Sequence, residues 1–311
     1  MTVPSMSLEI PVSVDTQREC HEHTEFTMKK QLLFRAVALA ASLSVTSALA
    51  GPVAEVVSGS DIDFVPLNPA RGDASPQAGV LWGDIRKDVP SGVLLKFADG
   101  FSSPPHIHNV TYRAVVINGA VHNDDPEAAN MWMGPGSFWI QPAGELHITS
   151  AQSGPGATAF LEILEGPYLV QRSDQAFANG ERPMNLEESN VVWLTPNDVT
   201  WISQTENAVV EDEVKISFLW GRPDAGELNG TFLKLPPGFE GELIGNDAWL
   251  RAVVIRGRTT HRLANASEAT NLLPGSYFGS KGRATHRISC AANEDCLLYV
   301  RTQGKYELKR I

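Results

Sequence analysis

The sequence has little cysteine, fewer basic than acidic residues and no long apolar run. The charge and the missing apolar run each exclude a class of protein. Lys and Arg number 25 against 36 Asp and Glu, which gives a formal net charge of −11. A general nucleic-acid binder needs a basic surface to displace counterions, so we expect no nucleic-acid partner. No stretch reaches the roughly 20 apolar residues of a membrane span, so we expect no span in the mature chain. A hydrophobic fraction of 42% still suffices for a folded core.

Several catalytic signatures are also missing. Residues 51–311 contain no Gly-x-Ser-x-Gly elbow, no P-loop and no dinucleotide-binding glycine fingerprint. The enzyme classes that these motifs mark are therefore not expected.

The first fifty residues have the pattern of a secretory signal peptide. The basic segment Met28-Lys29-Lys30 precedes an apolar run at residues 36–41, and small residues at 48–50 close the segment. A membrane helix is the weaker alternative, because the run is short and is followed by Ser and Thr. Since a signal peptide begins where translation starts, we expect Met28 to be the true start and residues 1–27 to be an over-extended reading of the gene. The mature chain would then be residues 51–311, secreted or periplasmic.

Cys290 and Cys296 are the two cysteines of this mature chain. They flank a turn-like insert between two apolar runs, a spacing that suits a disulfide clamping a hairpin in an oxidising compartment. A structural zinc site is the lesser alternative, because it would need two further ligands nearby. A cysteine nucleophile is not expected.

The mature chain consists of two copies of one unit. Residues 113–117 recur as residues 251–255, and Trp82 recurs as Trp220, at a common offset of 138. Two further matches follow at an offset of 139, after one inserted residue: His122 with His261, and His147 with His286. A repeat of this length is a whole domain, so we expect domains at residues 51–187 and 188–311.

Each copy has the pattern of β-structure. Short runs rich in β-branched and aromatic residues, at 113–117, 136–141 and 158–164, alternate with Gly, Pro, Asn and Asp. This pattern indicates a sandwich or a barrel. The polar stretch 173–190 is the expected connection between the copies, with room for a short helix.

Three histidines of the first copy form a candidate metal site. His106 and His108 lie two residues apart, so on a strand both imidazoles face the same side. His147 follows the Pro-x-Gly turn formed by Pro142 and Gly144. Together the three side chains would offer three nitrogen ligands to one metal ion.

These residues resemble the two sequence motifs of the cupin superfamily. The matching positions are His106, His108 and Gly119 in the first motif, and Gly136, Pro142, Gly144 and His147 in the second. Tyr112 stands where the first motif has a Glu ligand, and Ala151 where the second has Asn. The resemblance implies an all-β chain of two tandem double-stranded jelly-roll barrels, a bicupin most similar to an uncharacterised bacterial family of unknown function.

The resemblance also implies one divalent metal ion on His106, His108 and His147, with Fe, Zn or Mn as the leading candidates. Without the Glu the ligand set is neutral and leaves open positions for water or a ligand. Three-histidine cupins are similar to thiol and diketone dioxygenases, which use Fe(II). We therefore expect an exported metal-dependent enzyme of dioxygenase-like or Lewis-acid chemistry that acts on a small organic substrate. A non-catalytic periplasmic protein that binds or senses a small ligand or a metal stays open, as do a metal-independent isomerase and a homodimer.

Two further residues are candidates for catalysis. Tyr112 shares the strand parity of His106 and His108, so its hydroxyl is predicted to face the same cavity and to bind a ligand or act as acid or base. A packed core aromatic is an equal alternative for Tyr112. Gln141 is a weaker candidate for the cavity, and Glu145 is expected to face solvent.

The second copy has lost this chemistry. By the shared offset, Ile244 replaces His106 and Asn246 replaces His108, so we expect the second barrel to be metal-free. Residues that both copies keep are expected to serve the fold rather than the chemistry. They are Arg113 with Arg251, Trp82 with Trp220, and His122 with His261.

Overall fold

The computed structural model describes residues 53–154, 156–201 and 213–311. The expected leader, residues 1–50, and the expected start at Met28 lie outside these ranges. Regular structure in the described residues consists of antiparallel β-strands and short 3₁₀ helices, which confirms the all-β class. No helix in this part of the chain is long and apolar enough to cross a bilayer.

The first copy and its flanking segments contribute strands β1 (Val53–Val57), β2 (Phe64–Pro66), β3 (Gln77–Trp82), β4 (Ser91–Phe97), β5 (His106–His108), β6 (Tyr112–Asn118), β7 (Val121–Asp124), β8 (Phe138–Gln141), β9 (Ile148–Ala151), β10 (Ala157–Ile163), β11 (Val170–Arg172) and β12 (Met184–Leu186). Its 3₁₀ helices are Gly59–Asp61, Pro69–Ala74, Ser173–Gln175 and Glu188–Asn190.

The second copy contributes strands β13 (Lys215–Trp220), β14 (Leu228–Leu235), β15 (Glu240–Ile244), β16 (Trp249–Arg256), β17 (Thr259–Leu263), β18 (Thr270–Leu272), β19 (Tyr277–Lys281), β20 (Thr285–Cys290), β21 (Cys296–Gln303) and β22 (Glu307–Arg310), with a 3₁₀ helix at Pro223–Ala225.

Each copy builds one jelly-roll barrel with a large sheet. In barrel one the sheet order is β12-β8-β6-β10-β4-β3-β2, and the pairs β5–β11 and β7–β9 complete the barrel. Barrel two has a sheet of order β1-β19-β16-β21-β14-β13 and a second sheet of order β18-β17-β20-β15-β22. The two tandem barrels expected from the resemblance are therefore present.

The large sheets are buried on both faces, which explains their nearly continuous apolar sequences. In β10, Ala159, Leu161 and Ile163 belong to the core of barrel one. Phe160 lies on the opposite face, in a third core cluster that contains residues of both large sheets. This shared cluster is the interface between the barrels.

The two copies exchange their leading strands. β1 precedes barrel one but pairs with β19 of barrel two, and β12 precedes barrel two but pairs with β8 of barrel one. The second residue after each exchanged strand is held in the same way: Ser276 Oγ accepts the N–H of Gly59 at 2.9 Å, and Ser137 Oγ accepts the N–H of Glu188 at 3.1 Å. The connecting stretch 173–190 thus contains a strand, β12, between two 3₁₀ helices.

Arginines and tryptophans shared by both copies pack across the interface, as expected of residues that serve the fold. The Arg113 guanidinium lies 4.2 Å from the ring centre of Trp220. In the reciprocal contact, the Arg251 guanidinium lies 5.0 Å from the ring centre of Trp82.

Cys290 and Cys296 form a disulfide, as their spacing predicts. The hairpin expected around them is wrong, because Cys290 ends β20 and Cys296 begins β21, and these strands lie in different sheets. The disulfide closes the turn that carries the chain from one sheet of barrel two to the other.

Candidate metal centre

The three predicted ligands meet inside barrel one. One ring nitrogen from each of His106, His108 and His147 lies within 4.8 Å of the other two. The strand β5 carries the first two, and a bridge between His106 and His147 joins this strand to the segment just before β9. The sequence spacing therefore identified side chains that the fold brings together.

Backbone carbonyls set the orientation of all three rings. Nδ1 of His106 donates to Pro104 O at 2.9 Å, and Nδ1 of His147 donates to Glu145 O at 3.0 Å. Nδ1 of His108 donates to Leu169 O at 3.2 Å. Because a carbonyl only accepts, each Nδ1 carries the proton and each Nε2 keeps its lone pair, as a metal ligand requires.

Burial keeps these imidazoles neutral. Desolvation lowers the pKa of His106, and it lowers the pKa of His108 well below the usual value. Desolvation, with the charge of His106 as a smaller cause, lowers the pKa of His147 to about 3. All three rings are therefore neutral at neutral pH, and each Nε2 carries a lone pair.

Tyr112 faces the same cavity, as its strand parity predicts. Its hydroxyl lies 3.5 Å from Nε2 of His147 and donates to Asn123 Oδ1 at 2.9 Å. Burial raises the pKa of Tyr112 far above its usual value, so the phenol stays protonated. Tyr112 is therefore a buried core aromatic whose hydroxyl is also hydrogen-bonded within the site. Both of the alternatives expected for it, a core aromatic and a cavity residue, apply in part.

A hydrogen-bond chain fixes the direction of the Tyr112 proton. Gln141 Nε2 donates to the carbonyl of Glu145 at 3.1 Å, so Gln141 Oε1 must accept, and it does so from Asn123 Nδ2 at 2.8 Å. Asn123 Oδ1 is then the acceptor for both Tyr112 and Thr149. Consequently the Tyr112 oxygen presents a lone pair, not a proton, towards His147.

Gln141 lies behind the cavity, whereas we expected it to line the wall. Both ends of its amide are occupied, by Asn123 and by the Glu145 carbonyl. Glu145 is half-buried and supplies that carbonyl to both Gln141 and His147. These two residues hold the site in shape.

Tyr168 completes the aromatic surroundings of the site, and sequence reasoning missed it. Its ring stacks on His108 at 4.4 Å between ring centres, and its hydroxyl lies 3.2 Å from Nε2 of His108. Because Nδ1 of His108 carries the ring proton, this Nε2 accepts from the Tyr168 hydroxyl. No motif of the sequence contains Tyr168.

A cavity of about 420 Å³ opens onto His106 and His108. Its inner wall includes Tyr112, Trp139 and Thr149, and its outer part includes Arg71 and Val170. The size is that of a pocket for a small organic molecule.

A diproline segment shifts the strand register and corrects our alignment of the two copies. Ser102 bridges Ser150 whereas His106 bridges His147, so the stretch with Pro104 and Pro105 holds one extra residue. In barrel two, Leu243 pairs with His286. The expectation that Ile244 replaces His106 is therefore wrong.

The same shift changes the partner of His108. Counted two residues on from Leu243, its counterpart is Gly245 rather than the expected Asn246. Leu243 and Gly245 therefore stand at the two histidine positions, and neither has a side chain that can bind a metal ion.

The match of His122 with His261 is also wrong. Asn123 pairs with Thr149, whereas His261 pairs with Ile288, so His261 corresponds to Asn123. The one residue inserted in the second copy therefore lies after β17, and not before it as the match of His122 with His261 had required. His122 contacts the backbone of Met131 instead of the metal ligands.

Barrel two fills the equivalent position with a closed polar cluster. Nε2 of His261 lies 2.8 Å from Nδ1 of His286, whose Nε2 lies 2.9 Å from Ser280 Oγ. Leu243 packs beside this cluster in the core. His286 is therefore a satisfied core histidine, as expected for a barrel without the His-x-His pair.

Asn123 and Thr149 are site residues that the sequence could have shown. The second copy has His261 and Ile288 at these positions. The contrast between copies that singled out His106 and His108 applies to them equally once the register is known.

The fold and this site define the class of the protein: it is a bicupin with a three-histidine cluster in its first barrel. Residues 55–309 match the domain of unknown function DUF4437, and the chain belongs to that family. Among curated protein sequences none matches the chain.

Several solved structures share the fold. A putative dioxygenase from Nostoc punctiforme is 14% identical, with a TM-score of 0.58, and covers 81% of this chain and 82% of its own. The protein YlbA from E. coli is 12% identical, with a TM-score of 0.55, and covers 81% and 91%. AerE from Microcystis aeruginosa is 11% identical, with a TM-score of 0.50, and covers 78% and 97%. At these identities the likeness concerns the fold.

Proposed function

We propose that barrel one holds one divalent metal ion on His106, His108 and His147, and that the protein is an exported metal-dependent enzyme acting on a small organic substrate. One observation supports this most: three neutral imidazoles, each oriented by a backbone carbonyl, bring one ring nitrogen each to within 4.8 Å of the other two. Such outer hydrogen bonds are characteristic of metal-binding histidines. The donor set suits Fe, Zn or Mn.

When bound, the metal would supply Lewis acidity or, as Fe(II), the activation of oxygen. The neutral donor set would leave coordination positions open for water or for an oxygen-donor group of the substrate. Tyr112 accepts a hydrogen bond from the substrate, because its own proton is held by Asn123. The buried walls at Tyr112 and Trp139 exclude water from the reacting group.

Dioxygenase chemistry and Lewis-acid chemistry make different demands on the metal. The name of the Nostoc protein suggests the first, by analogy of fold. To separate the two, the protein is loaded with Fe(II), Zn(II) or Mn(II) and incubated with a panel of small organic acids. Oxygen consumption and the products formed are then measured. We expect Fe(II)-dependent oxygen uptake with a preferred acid, lost in His106→Ala and kept in the barrel-two control His286→Gln. Turnover that survives chelation of the metal would instead support a metal-independent isomerase.

A binding or sensing protein is the second candidate. Tyr112 replaces the fourth protein ligand of the motif, and barrel two carries the closed cluster of His261, His286 and Ser280 in place of a site. A compound that binds the metal-loaded protein with one-to-one stoichiometry, but that is recovered unchanged after long incubation, would favour this function over catalysis.

Export is the remaining part of the proposal. It is supported by the sequence pattern of residues 28–50. Amino-terminal sequencing of the exported protein should find Gly51 as the first residue. A terminus well upstream of Gly51 would contradict cleavage at the expected place.

A further inference from the structure

We infer that the cavity of barrel one takes an amphipathic organic anion, whose carboxylate pairs with Arg71 and whose apolar part lies against the cavity wall. This inference deepens the proposed function, because it names the substrate class of the same cavity. Its support comes from the charge of the lining, the position of Arg71 and the apolar rim.

The lining of the cavity is cationic and has no compensating acid. Arg71 is a lining residue, and the described lining includes no Asp or Glu. The whole chain carries 36 acidic residues, so their absence from this wall is a local feature. A ligand that covers Arg71 removes water from its guanidinium, which is costly unless the ligand itself supplies a negative charge.

Arg71 is presented by a closed segment at the outer end of the cavity. The 3₁₀ helix Pro69–Ala74 begins where Asn68 Oδ1 accepts the N–H of Ala70 at 3.1 Å. The N–H of Leu67 donates to Pro76 O at 2.8 Å and closes the base of the segment. Arg71 is exposed whereas His108 and His147 are buried, so the guanidinium lies towards solvent and the imidazoles lie at depth.

The Arg71 guanidinium is available for a ligand. Within the described residues it makes no ion pair, whereas the surface arginines Arg86 and Arg172 pair with Asp84 and Asp174. An arginine binds a carboxylate through two parallel hydrogen bonds, which makes that group a better match than a neutral amide.

The remainder of the cavity is apolar. Leu95, Phe97 and Leu161 line its wall. At the rim, Leu169 and Val170 are 46% and 62% exposed, and adjoining apolar surface beside a pocket is typical of a ligand-binding groove. A ligand with a hydrocarbon body would cover them, and its length would span from the rim to the imidazoles.

Calorimetric binding of phenylacetate and of its neutral isostere phenylacetamide tests the inference. Both are titrated into chelator-treated and Zn(II)-loaded protein, with the variants Arg71→Gln, Arg71→Lys and a surface control, Arg86→Gln. We expect the metal-free wild type to bind phenylacetate about tenfold more tightly than phenylacetamide. Arg71→Gln should abolish this preference, Arg71→Lys should keep part of it, and Arg86→Gln should keep all of it.

Each opposing result has a distinct meaning. Equal binding of the two compounds to the metal-free wild type, or an unchanged preference in Arg71→Gln, would overturn the role of Arg71. A preference that needs Zn(II) and survives Arg71→Gln would place the anion on the metal and would likewise overturn it. Loss of Zn(II) binding with the preference intact would contradict the metal proposal and leave this inference standing.

Discussion

Directed hydrogen bonds govern the site at the scale of single residues. Three carbonyls orient the imidazoles, and the carbonyl of Glu145 also sets the direction of the chain through Gln141 and Asn123 to Tyr112. As a result the three Nε2 atoms and the phenol oxygen are placed to act as acceptors or metal ligands rather than as donors. Such a surface attracts a cation first and a hydrogen-bond donor next.

Tyr168 competes with a metal ion for His108. Its hydroxyl occupies the lone pair of Nε2, and that hydrogen bond must be given up when the nitrogen becomes a ligand. Removing the hydroxyl in Tyr168→Phe should therefore raise the affinity for Zn(II) severalfold, since one hydrogen bond contributes about 1 kcal/mol. Competition titration against a chromophoric chelator measures this. A weaker affinity in Tyr168→Phe would mean that the hydroxyl supports metal binding.

Buried histidines of barrel two make stability depend on pH. Burial lowers the pKa of His286 to about 4, and burial, with the charge of His286 as a smaller cause, lowers the pKa of His261 to about 3. The unfolded chain binds protons near pH 6.5, before the folded chain does, so stability falls as the pH drops from 6.5 towards 4. His286 alone accounts for roughly 3 kcal/mol of this loss.

The matched variant is His286→Gln, which keeps polar groups at the position but does not titrate. Urea unfolding at pH 7.5 and at pH 5 should show a smaller loss of free energy in this variant than in the wild type. Equal losses in the two proteins would show that His286 is not buried in its neutral form.

Sequence reasoning found the residues that short-range spacing determines. His106 and His108 share a face because they lie two apart on a strand, and Tyr112 follows with the same parity. Tyr168 and Arg71 come from distant segments that only the tertiary fold brings to the cavity. Nothing in their local sequence distinguishes them from an ordinary core tyrosine and a surface arginine.

At the scale of elements, one extra residue sets the register of the strand that carries the histidine pair. The stretch with Pro104 and Pro105 shifts the register of β5, and Pro104 also supplies the carbonyl that orients His106. A one-residue shift moves every side chain of a strand to the opposite face. A constant sequence offset could not reveal this shift, which is why our alignment of the second copy failed at the two ligand positions.

The strand exchange predicts matched effects at its two ends. Ser137 and Ser276 each accept the N–H that follows an exchanged strand, so Ser137→Ala and Ser276→Ala should each cost about 1 kcal/mol. Urea midpoints measure both, with the exposed Ser102→Ala as the control. A destabilisation confined to one of the two variants would mean that the exchanged strands contribute unequally.

The disulfide predicts a further effect in barrel two. It closes a short loop between two sheets, so replacing Cys290 and Cys296 together by Ser should lower the free energy of unfolding by about 2 kcal/mol. Thermal unfolding under non-reducing conditions shows the difference. A reducing agent should lower the stability of the wild type alone, and equal sensitivity of the variant would contradict this account.

At the scale of the whole molecule, the described residues belong to one compact unit. The interface cluster contains side chains of both large sheets, and each barrel completes the other with a strand. We therefore expect the barrels to unfold together. The repeat, the β-class and the presence of two barrels were predictable from the sequence, whereas the exchange was not, because pairing between distant strands leaves no local pattern.

A buried ion pair crosses this interface. The Arg301 Nε lies 3.6 Å from a carboxylate oxygen of Glu162, and Tyr299 donates to the other oxygen. Both charged side chains are buried. Removing one partner in Arg301→Met leaves the other charge uncompensated, which should cost about 3–5 kcal/mol.

The double variant Arg301→Met with Glu162→Gln should recover part of that loss, because no unpaired charge remains. Denaturant unfolding, followed by tryptophan fluorescence and by circular dichroism, measures both variants and shows whether one transition persists. Two separate transitions in the wild type would contradict a single cooperative unit.

The central claim is that His106, His108 and His147 form one metal site in barrel one, and metal content measures it directly. The purified protein is incubated with Fe(II), Zn(II) or Mn(II), freed of excess ions and examined by elemental analysis. We predict one divalent ion per chain in the wild type and in His286→Gln, and none in His106→Ala or His108→Ala. A wild type that retains no metal, or a His106→Ala variant that retains a full equivalent, would contradict the account.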